Sequence, residues 1–333
     1  MGEDRSAGSG DPRAGSLAPR RSVIARAPTR LDFGGGWTDV PPYPVEAGGL
    51  VCNVAIARYA RAMLRPGSPG YHLVGAEDAL PRAAMIRSGV TDAAMRLVSD
   101  FPRGAGLGGS SAAGVAALAA LARWRGEPLD RAALAESSRA VEVEELQVAG
   151  GRQDHYAAAF GGALALRFGE GVVVERIPLA PALAGALERR CLVLYTGQSR
   201  ISGETITAVL DAYRARAPRV VEALARMTRL AEEMADALRG GDVDALGTLV
   251  GEHWTHQRAL HPAITTPRID EIVARAAAAG ALGAKALGAS GGGCVLVVAP
   301  SGGESRVRAA LDGLGEPVAF TIDHEGVRVD ETA

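Results

Sequence analysis

The stretch richest in chemistry is "FPRGAGLGGSSAAG", Phe101 to Gly114. Glycines at 104, 106, 108 and 109 let consecutive backbone N–H groups converge on one point, and a helix starting near Ser110 adds its positive end. That is the chemistry of a phosphate cradle, with the Ser110 and Ser111 hydroxyls as further donors or a metal ligand. Gly104 to Gly109 also spell G-x-G-x-x-G, which fits a dinucleotide fingerprint and a nicotinamide-dependent oxidoreductase. That reading needs a buried hydrophobic strand running straight into the first glycine, at the start of its domain. The residues before Gly104, "RLVSDFPR", are polar and carry a proline, so the strand is expected to be missing, and about 80 structured residues precede the loop. A third reading is a tight turn capped by serine. No G-x-x-x-x-G-K-[ST] occurs, which excludes the common P-loop. A helix N-terminus contributes about 0.3–2 kcal/mol per interaction, too little to hold and polarise a nucleotide triphosphate. Such a site therefore requires a divalent cation and a carboxylate to hold it.

Positioning a loop of this kind takes a sheet and packed helices, and 333 residues are enough for two domains with sizeable cores. Runs such as "VIARAPTRLDF" and "GGLVCNVAIARYARAML" read as strands. "SSAAGVAALAALARW" reads as a buried helix capped by serine, and "LDRAALAESSRAVEVEELQ" as a second helix. Later come strands "ALALRF" and "CLVLYTG", two long helices over about 203–238 and 242–258, helix "PRIDEIVARAAAAG", strand "GGCVLVVAP", helix "ESRVRAALDGL" and strand "VAFTIDH". This is an α+β chain of two halves, 21–185 and 186–333, after a disordered leader over 1–20. Lys and Arg number 36 against 38 Asp and Glu, so the broad positive field that duplex nucleic acid or an anionic membrane requires is lacking. No run approaches the ~18 apolar residues of a membrane span. Cys52, Cys191 and Cys294 each sit in an apolar run without metal spacing, as small buried hydrophobes in a reducing cytoplasm.

Four segments together resemble the GHMP small-molecule kinases: "RAPTRLDFGGGWTDVPPY" (26–43), "PRGAGLGGSSAAG" (102–114), "AGGRQDHYAAAFGG" (149–162) and "KALGASGGGCVLVV" (285–298). The resemblance implies the two-domain GHMP kinase architecture, with a ribosomal-protein-like N-terminal half and a ferredoxin-like C-terminal half, and it implies ATP and Mg²⁺. Carried over position by position, it makes Asp154 the catalytic carboxylate that accepts or orients the acceptor proton. Arg30 is its basic partner facing the transferring phosphoryl. Gly104, Gly106, Leu107, Gly108, Gly109, Ser110, Ser111 and Ala112 bind ATP. Ser110 and Glu142, which lies twelve residues before Asp154, hold the metal. Gly35, Gly36, Thr38 and Asp39 bind the acceptor, together with Gly291 and Gly292 of the third motif. Two positions depart from the family pattern: Gly109 stands where a hydroxyl residue is usual, and Ser290 where a glycine is usual.

Within the family, "GGRQDHYAAAFGG", "LYTGQSR" and "PRIDEI" look most like bacterial D-glycero-D-manno-heptose 7-phosphate kinases, which phosphorylate the anomeric hydroxyl. The expected partner is accordingly a small sugar or sugar phosphate. If the acceptor already carries a phosphate, a second basic site is needed, and Arg152 and Arg200 are the candidates. "GGWTD" also resembles fucokinases, which act on the same hydroxyl of a free sugar. His253, His256 and His261 read as a polar helix face and not as a metal site. A homodimer is left open.

Overall fold

The structure, a computed structural model, describes residues 22–332 apart from 69, 71, 74–78 and 199–202. The leader 1–20 and Arg200 lie outside the described residues. In chain order the first half runs β1 (Ser22–Gly34), α1 (Tyr43–Ala47), β2 (Gly49–Pro66), β3 (His72–Leu73), α2 (Ala79–Ser88), β4 (Ala93–Ser99), α3 (Gly109–Trp124), α4 (Arg131–Ala140), a π-turn (Val141–Glu145), α5 (Gln153–Phe160), β5 (Ala163–Phe168) and β6 (Val172–Ile177). The second half runs α6 (Pro181–Arg190), β7 (Cys191–Tyr195), α7 (Gly203–Arg214), α8 (Pro218–Gly240), α9 (Val243–Leu260), α10 (Pro267–Ala278), β8 (Gly283–Ala286), β9 (Cys294–Val298), α11 (Glu304–Ala310), β10 (Glu316–Pro317) and β11 (Arg328–Thr332).

Strand β2 organises the first sheet. Its early part pairs with β5 and its late part with β4, while β1 lies along its other edge, all antiparallel. β11 returns from the far end of the chain to pair with β1, so the last strand belongs to the first sheet. The second sheet has the order β10-β7-β9-β8. β9 is buried on both faces, as a continuous apolar run in a covered strand should be. α3 is buried all round from Ser111 to Ala122. Its alanines keep it thin enough to lie against β1 and β2 on one side and α2, α4 and α5 on the other. One core cluster holds Leu31, Phe33 and Leu107 together with Met234, Val250 and Leu296, so the two halves are joined by shared apolar packing.

Four expectations change. A strand does precede the glycine loop, because β4 ends at Ser99, but it runs antiparallel to β2 over seven residue pairs and is separated from Gly104 by Asp100–Arg103. A dinucleotide fingerprint needs its strand inside a parallel sheet; among the described residues β4 has a parallel partner only in the two residues of β3, so that reading fails on the long antiparallel pairing with β2 and not on a missing strand. α3 is capped by Gly108 at φ +74° with no side-chain cap bond, not by serine. The helix expected over 203–238 is two helices: Pro218 cannot continue a helix from the preceding turn and instead occupies the first turn of α8, with Arg216 at φ +55° in the break. Finally, "VAFTIDH" is an extended link with a single bridge, Ile56 to Ile322. Val318 N–H donates to Val193 O in the second sheet, and Thr321 O accepts from Ala57 N–H in the first. All three cysteines are unbridged and buried, and burial pushes the Cys191 and Cys294 thiols up to about 12.

Leu121 is wholly buried at the centre of the first core. Leu121→Ala should cost about 2–5 kcal/mol of stability, read as a fall in the denaturant midpoint.

Candidate active site

Successive β-strand side chains alternate between faces, so Arg30 and Asp32 of β1 share one face. Arg30 is 2% exposed, and its guanidinium reaches two elements at once. Nε and Nη2 each lie 2.7 Å from Asp154 Oδ1, in the first turn of α5. Nη1 donates to Gly106 O at 2.6 Å, and the Arg30 backbone N–H donates to Leu107 O at 3.0 Å. Strand, glycine loop and helix are thereby tied at one residue.

The loop needs its glycines for specific reasons. Gly106 lies at φ +73°, with Leu287 O 2.6 Å from where a Cβ would stand. At Gly108 a Cβ would sit 3.0 Å from Asp154 Cγ. A Cβ at Gly109 would collide with the Phe101 ring, which fills the space a hydroxyl residue would use there. Ser110 is exposed to the cavity and Ser111 is buried.

Behind Ser111 lies Glu142, on the π-turn. Its Oε2 is 3.2 Å from His155 Nε2 and 3.5 Å from Ser111 Oγ. His155 Nδ1 is 2.9 Å from Ser138 Oγ. Burial pushes the Glu142 carboxyl up, but His155 and the Ser110 and Ser111 hydroxyls outweigh it and hold the group below the usual carboxylate range. Glu142 Oε1 is a buried oxygen without a partner. A carboxylate oxygen of this kind beside serine hydroxyls fits a hard cation that takes its remaining ligands from phosphate and water. Among the described residues no group of three or more His, Cys, Asp or Glu could hold a metal. Glu144 and Glu145 instead pair with Arg87 at the surface.

Two cavities meet here. The larger, about 790 Å³, is lined by the loop from Arg103 to Ser111 and by Ile206, Thr207 and Gly292. The smaller, about 140 Å³, is lined by Asp32, Gly36, Trp37, Asp39, Gly151 and Gln153. Arg30, Ser111, Glu142 and Asp154 line both. Asp39 Oδ2 accepts from the N–H groups of Arg152 (2.8 Å) and Gln153 (2.9 Å) at the start of α5, and a side chain at Gly151 would strike Asp39. Burial raises the Asp39 carboxyl to about 6 against those two bonds. Trp37 sits at φ +82°, a strained conformation for a bulky residue and of a kind that clusters at functional sites.

Of the residues singled out from the sequence, Gly104, Gly106, Leu107, Gly108, Gly109, Ser110 and Ser111 line the larger cavity, whereas Ala112 is buried inside α3. Gly36 and Asp39 line the smaller one. Gly35 and Thr38 lie behind it: Thr38 Oγ1 donates to Gly35 O at 2.7 Å. Gly292 lines the larger cavity, and Gly291 lines neither, its N–H donating to Ile264 O. The Arg152 side chain leans toward Glu136, 3.5 Å away. Ser290 adopts φ +67°, and its Oγ accepts from Gln257 Nε2 at 3.0 Å.

His253 departs from the polar-face reading. It is wholly buried, and its Nε2 accepts from the Gly35 N–H at 2.8 Å. Burial holds its pKa well below the usual histidine range, which keeps the ring neutral and able to accept. His256 stays partly exposed near Glu252, and His261 Nδ1 accepts from Ala263 N–H. A second unanticipated contact is the buried pair of Lys285 Nζ and Asp32 Oδ2, at 3.1 Å. Burial lowers the Lys285 pKa, and Asp32 opposes that shift.

The fold and sequence have clear counterparts. The chain is 25% identical to a D-glycero-alpha-D-manno-heptose 7-phosphate kinase of Campylobacter jejuni, over 92% of this chain and 98% of that protein. It is 26% identical to a bifunctional fucokinase/GDP-fucose pyrophosphorylase of Arabidopsis thaliana over 84% of this chain, and spans only 30% of that longer protein. A mevalonate kinase of Thermococcus onnurineus is 32% identical over 73% of this chain and 70% of its own length. A solved D-glycero-D-manno-heptose 1-phosphate kinase of Bacteroides thetaiotaomicron superposes with a TM-score of 0.75 at 24% identity, over 93% of this chain and 99% of that one, a likeness of fold. The family models for the GHMP kinases N terminal domain and the GHMP kinases C terminal region match residues 73–162 and 234–316, and with the two-sheet architecture around the glycine loop they establish that this chain belongs to the GHMP kinases.

Proposed function

We propose that the chain transfers the terminal phosphoryl group of ATP to the anomeric hydroxyl of a sugar, with a heptose 7-phosphate as acceptor and the 1,7-bisphosphate as product. One observation carries the reading: Asp154, held by Arg30, stands where the cavity of the glycine loop meets the cavity of Asp39. A nucleotide's phosphates along the loop amides and a hydroxyl in the smaller cavity would both face that carboxylate. The heptose ester is favoured by the relative that matches along nearly its whole length.

Phosphoryl transfer asks for positioning and charge neutralisation. The amides around Gly106 to Ser111, at the start of α3, supply donors to phosphate oxygens. Arg30 occupies Asp154 Oδ1, which leaves Oδ2 to take the acceptor's proton as the sugar oxygen bonds to phosphorus and the bond to the departing ADP breaks. Arg30 also donates from Nη1 to Gly106 O, so it fixes the distance between base and loop. Glu142 and Ser110 would hold magnesium, which when bound neutralises phosphate charge. Asp39 Oδ1 would accept a sugar hydroxyl while Oδ2 stays on the α5 amides.

A second reading, a free sugar in place of a sugar phosphate, has its own observation. Among the described residues lining the smaller cavity the one cation is Arg30, already engaged, and the Arg152 guanidinium is turned toward Glu136. Arg200 lies outside the described residues.

A panel of L-fucose, D-mannose and D-glycero-D-manno-heptose 7-phosphate with ATP and Mg²⁺, read by phosphorus NMR, separates the readings. A new anomeric phosphate on the heptose ester alone is expected, and equal turnover of the free sugars would favour the second reading. Asp154→Asn should lower kcat about 10²- to 10⁴-fold, the range of a lost general base, with nucleotide-analogue affinity unchanged. Wild-type rates in that variant would remove Asp154 from the chemistry.

The Asp39 carboxyl, raised to about 6, gives a signed pH dependence. Below that value Oδ1 carries a proton and no longer accepts, so the acceptor KM should rise as pH falls through 6 while the ATP KM stays flat. Between the ordinary carboxylate range and 6 the folded state keeps a proton that the unfolded chain has released, so stability falls as pH rises across that window. Asp39→Asn should flatten both curves.

A further inference from the structure

The buried pair of Asp32 and Lys285 is built in a way that a purely structural ion pair is not. Lys285 comes from β8 in the second sheet and Asp32 from β1 in the first, and both are nearly inaccessible. The ammonium has three donors, and its acceptors are Asp32 Oδ2 at 3.1 Å and Phe33 O at 3.4 Å. Asp32 Oδ1 is a buried carboxylate oxygen without a partner, in a residue that lines the smaller cavity. A buried charge is retained at a cost unless its remaining lone pairs are satisfied. Here the residue that carries the unsatisfied oxygen belongs to the cavity wall. Gly36 makes room for the carboxylate, because any side chain there would collide with Oδ2, the oxygen held by Lys285.

We propose that Asp32 is a further acceptor-binding residue: Lys285 holds Oδ2 from the opposite sheet so that Oδ1 takes a hydroxyl of the bound sugar. The inference rests on the sugar-kinase reading and adds a specificity contact to it. Asp39 and Asp32 then offer acceptors from two walls of one small cavity, which selects a ligand with hydroxyl donors at two positions. Lys285 is a positioning residue, because it lines neither cavity. Since the pair joins β1 to β8, the acceptor contact is also made to depend on how the two sheets sit against each other.

The test compares wild type, Asp32→Asn and the double variant Asp32→Asn with Lys285→Met, using the same three sugars, with KM, kcat and thermal midpoint measured for each. In Asp32→Asn the amide oxygen is drawn to the ammonium, and the NH₂ group turns to the cavity, replacing an acceptor by a donor. Loss of a charge-assisted hydrogen bond corresponds to about 10- to 100-fold, so the sugar KM should rise by that factor while the ATP KM stays within about twofold. The double variant removes both charges together and so keeps a folded protein available. It should show the same rise in sugar KM with no further loss. Among monodeoxy analogues of the sugar that is turned over, one should lose at least about tenfold with wild type and nothing further with Asp32→Asn. If wild type phosphorylates a sugar and both folded variants keep its KM, this assignment is overturned and the sugar-kinase reading survives. A wild-type protein that neither phosphorylates nor binds any of the three sugars, by turnover or by thermal shift, overturns both.

Discussion

The ion pair of Arg30 and Asp154 is the constraint on which the site depends. A guanidinium 2% exposed has few ways to satisfy its donors, and here all three of its nitrogens are engaged: Nε and Nη2 with one oxygen of Asp154 and Nη1 with a loop carbonyl. Removing Asp154 would leave the buried Arg30 charge uncompensated, whereas the Asp154 carboxylate is partly open to the cavities. The glycines of the loop follow from it. Gly106 must pass Leu287 with its carbonyl turned to Arg30, and Gly108 must pass Asp154 closely enough to start α3 at the cavity. The loop is therefore held by its neighbours as much as by its own sequence.

The smaller cavity depends on both halves of the chain. Its glycine turn is anchored when His253 of α9 accepts the Gly35 N–H, and Lys285 of β8 reaches Asp32 across the same seam. Gln257 of α9 donates to Ala286 O, Gly288 O and Ser290 Oγ, fixing the third glycine-rich segment under the loop. The apolar cluster shared by β1, β2, α8, α9 and β9 gives these polar ties a rigid base. A packed seam of this kind makes the geometry of the carboxylates a property of the whole chain.

Much of this was legible in the sequence, for physical reasons. The glycine loop announces itself because only glycine tolerates its backbone angles, and α3 because a long run of alanine and leucine has one sensible place to go. Arg30, Asp154, Glu142 and Asp39 stand out by motif resemblance, and the structure gathers them around adjoining cavities. What stayed hidden was long-range. Lys285 and Asp32 are 253 residues apart in the chain, so no local pattern couples them. His253, at helical spacing from His256, looks like any polar face until α9 is packed. The strand β4 was obscured by its half-exposed, mixed composition, and the break between α7 and α8 was signalled by Pro218 but outweighed by helical periodicity on both sides. The return of β11 to β1 is a tertiary choice that its five residues do not encode alone.

The most direct measurement is a crystal structure with Mg²⁺ and a non-hydrolysable ATP analogue. The terminal phosphate is expected against the amides of residues 106–111, the cation between it and Glu142, and the Asp154 carboxylate facing the phosphorus from the side of the smaller cavity. A nucleotide bound away from the loop, or a terminal phosphate out of reach of Asp154, would contradict it.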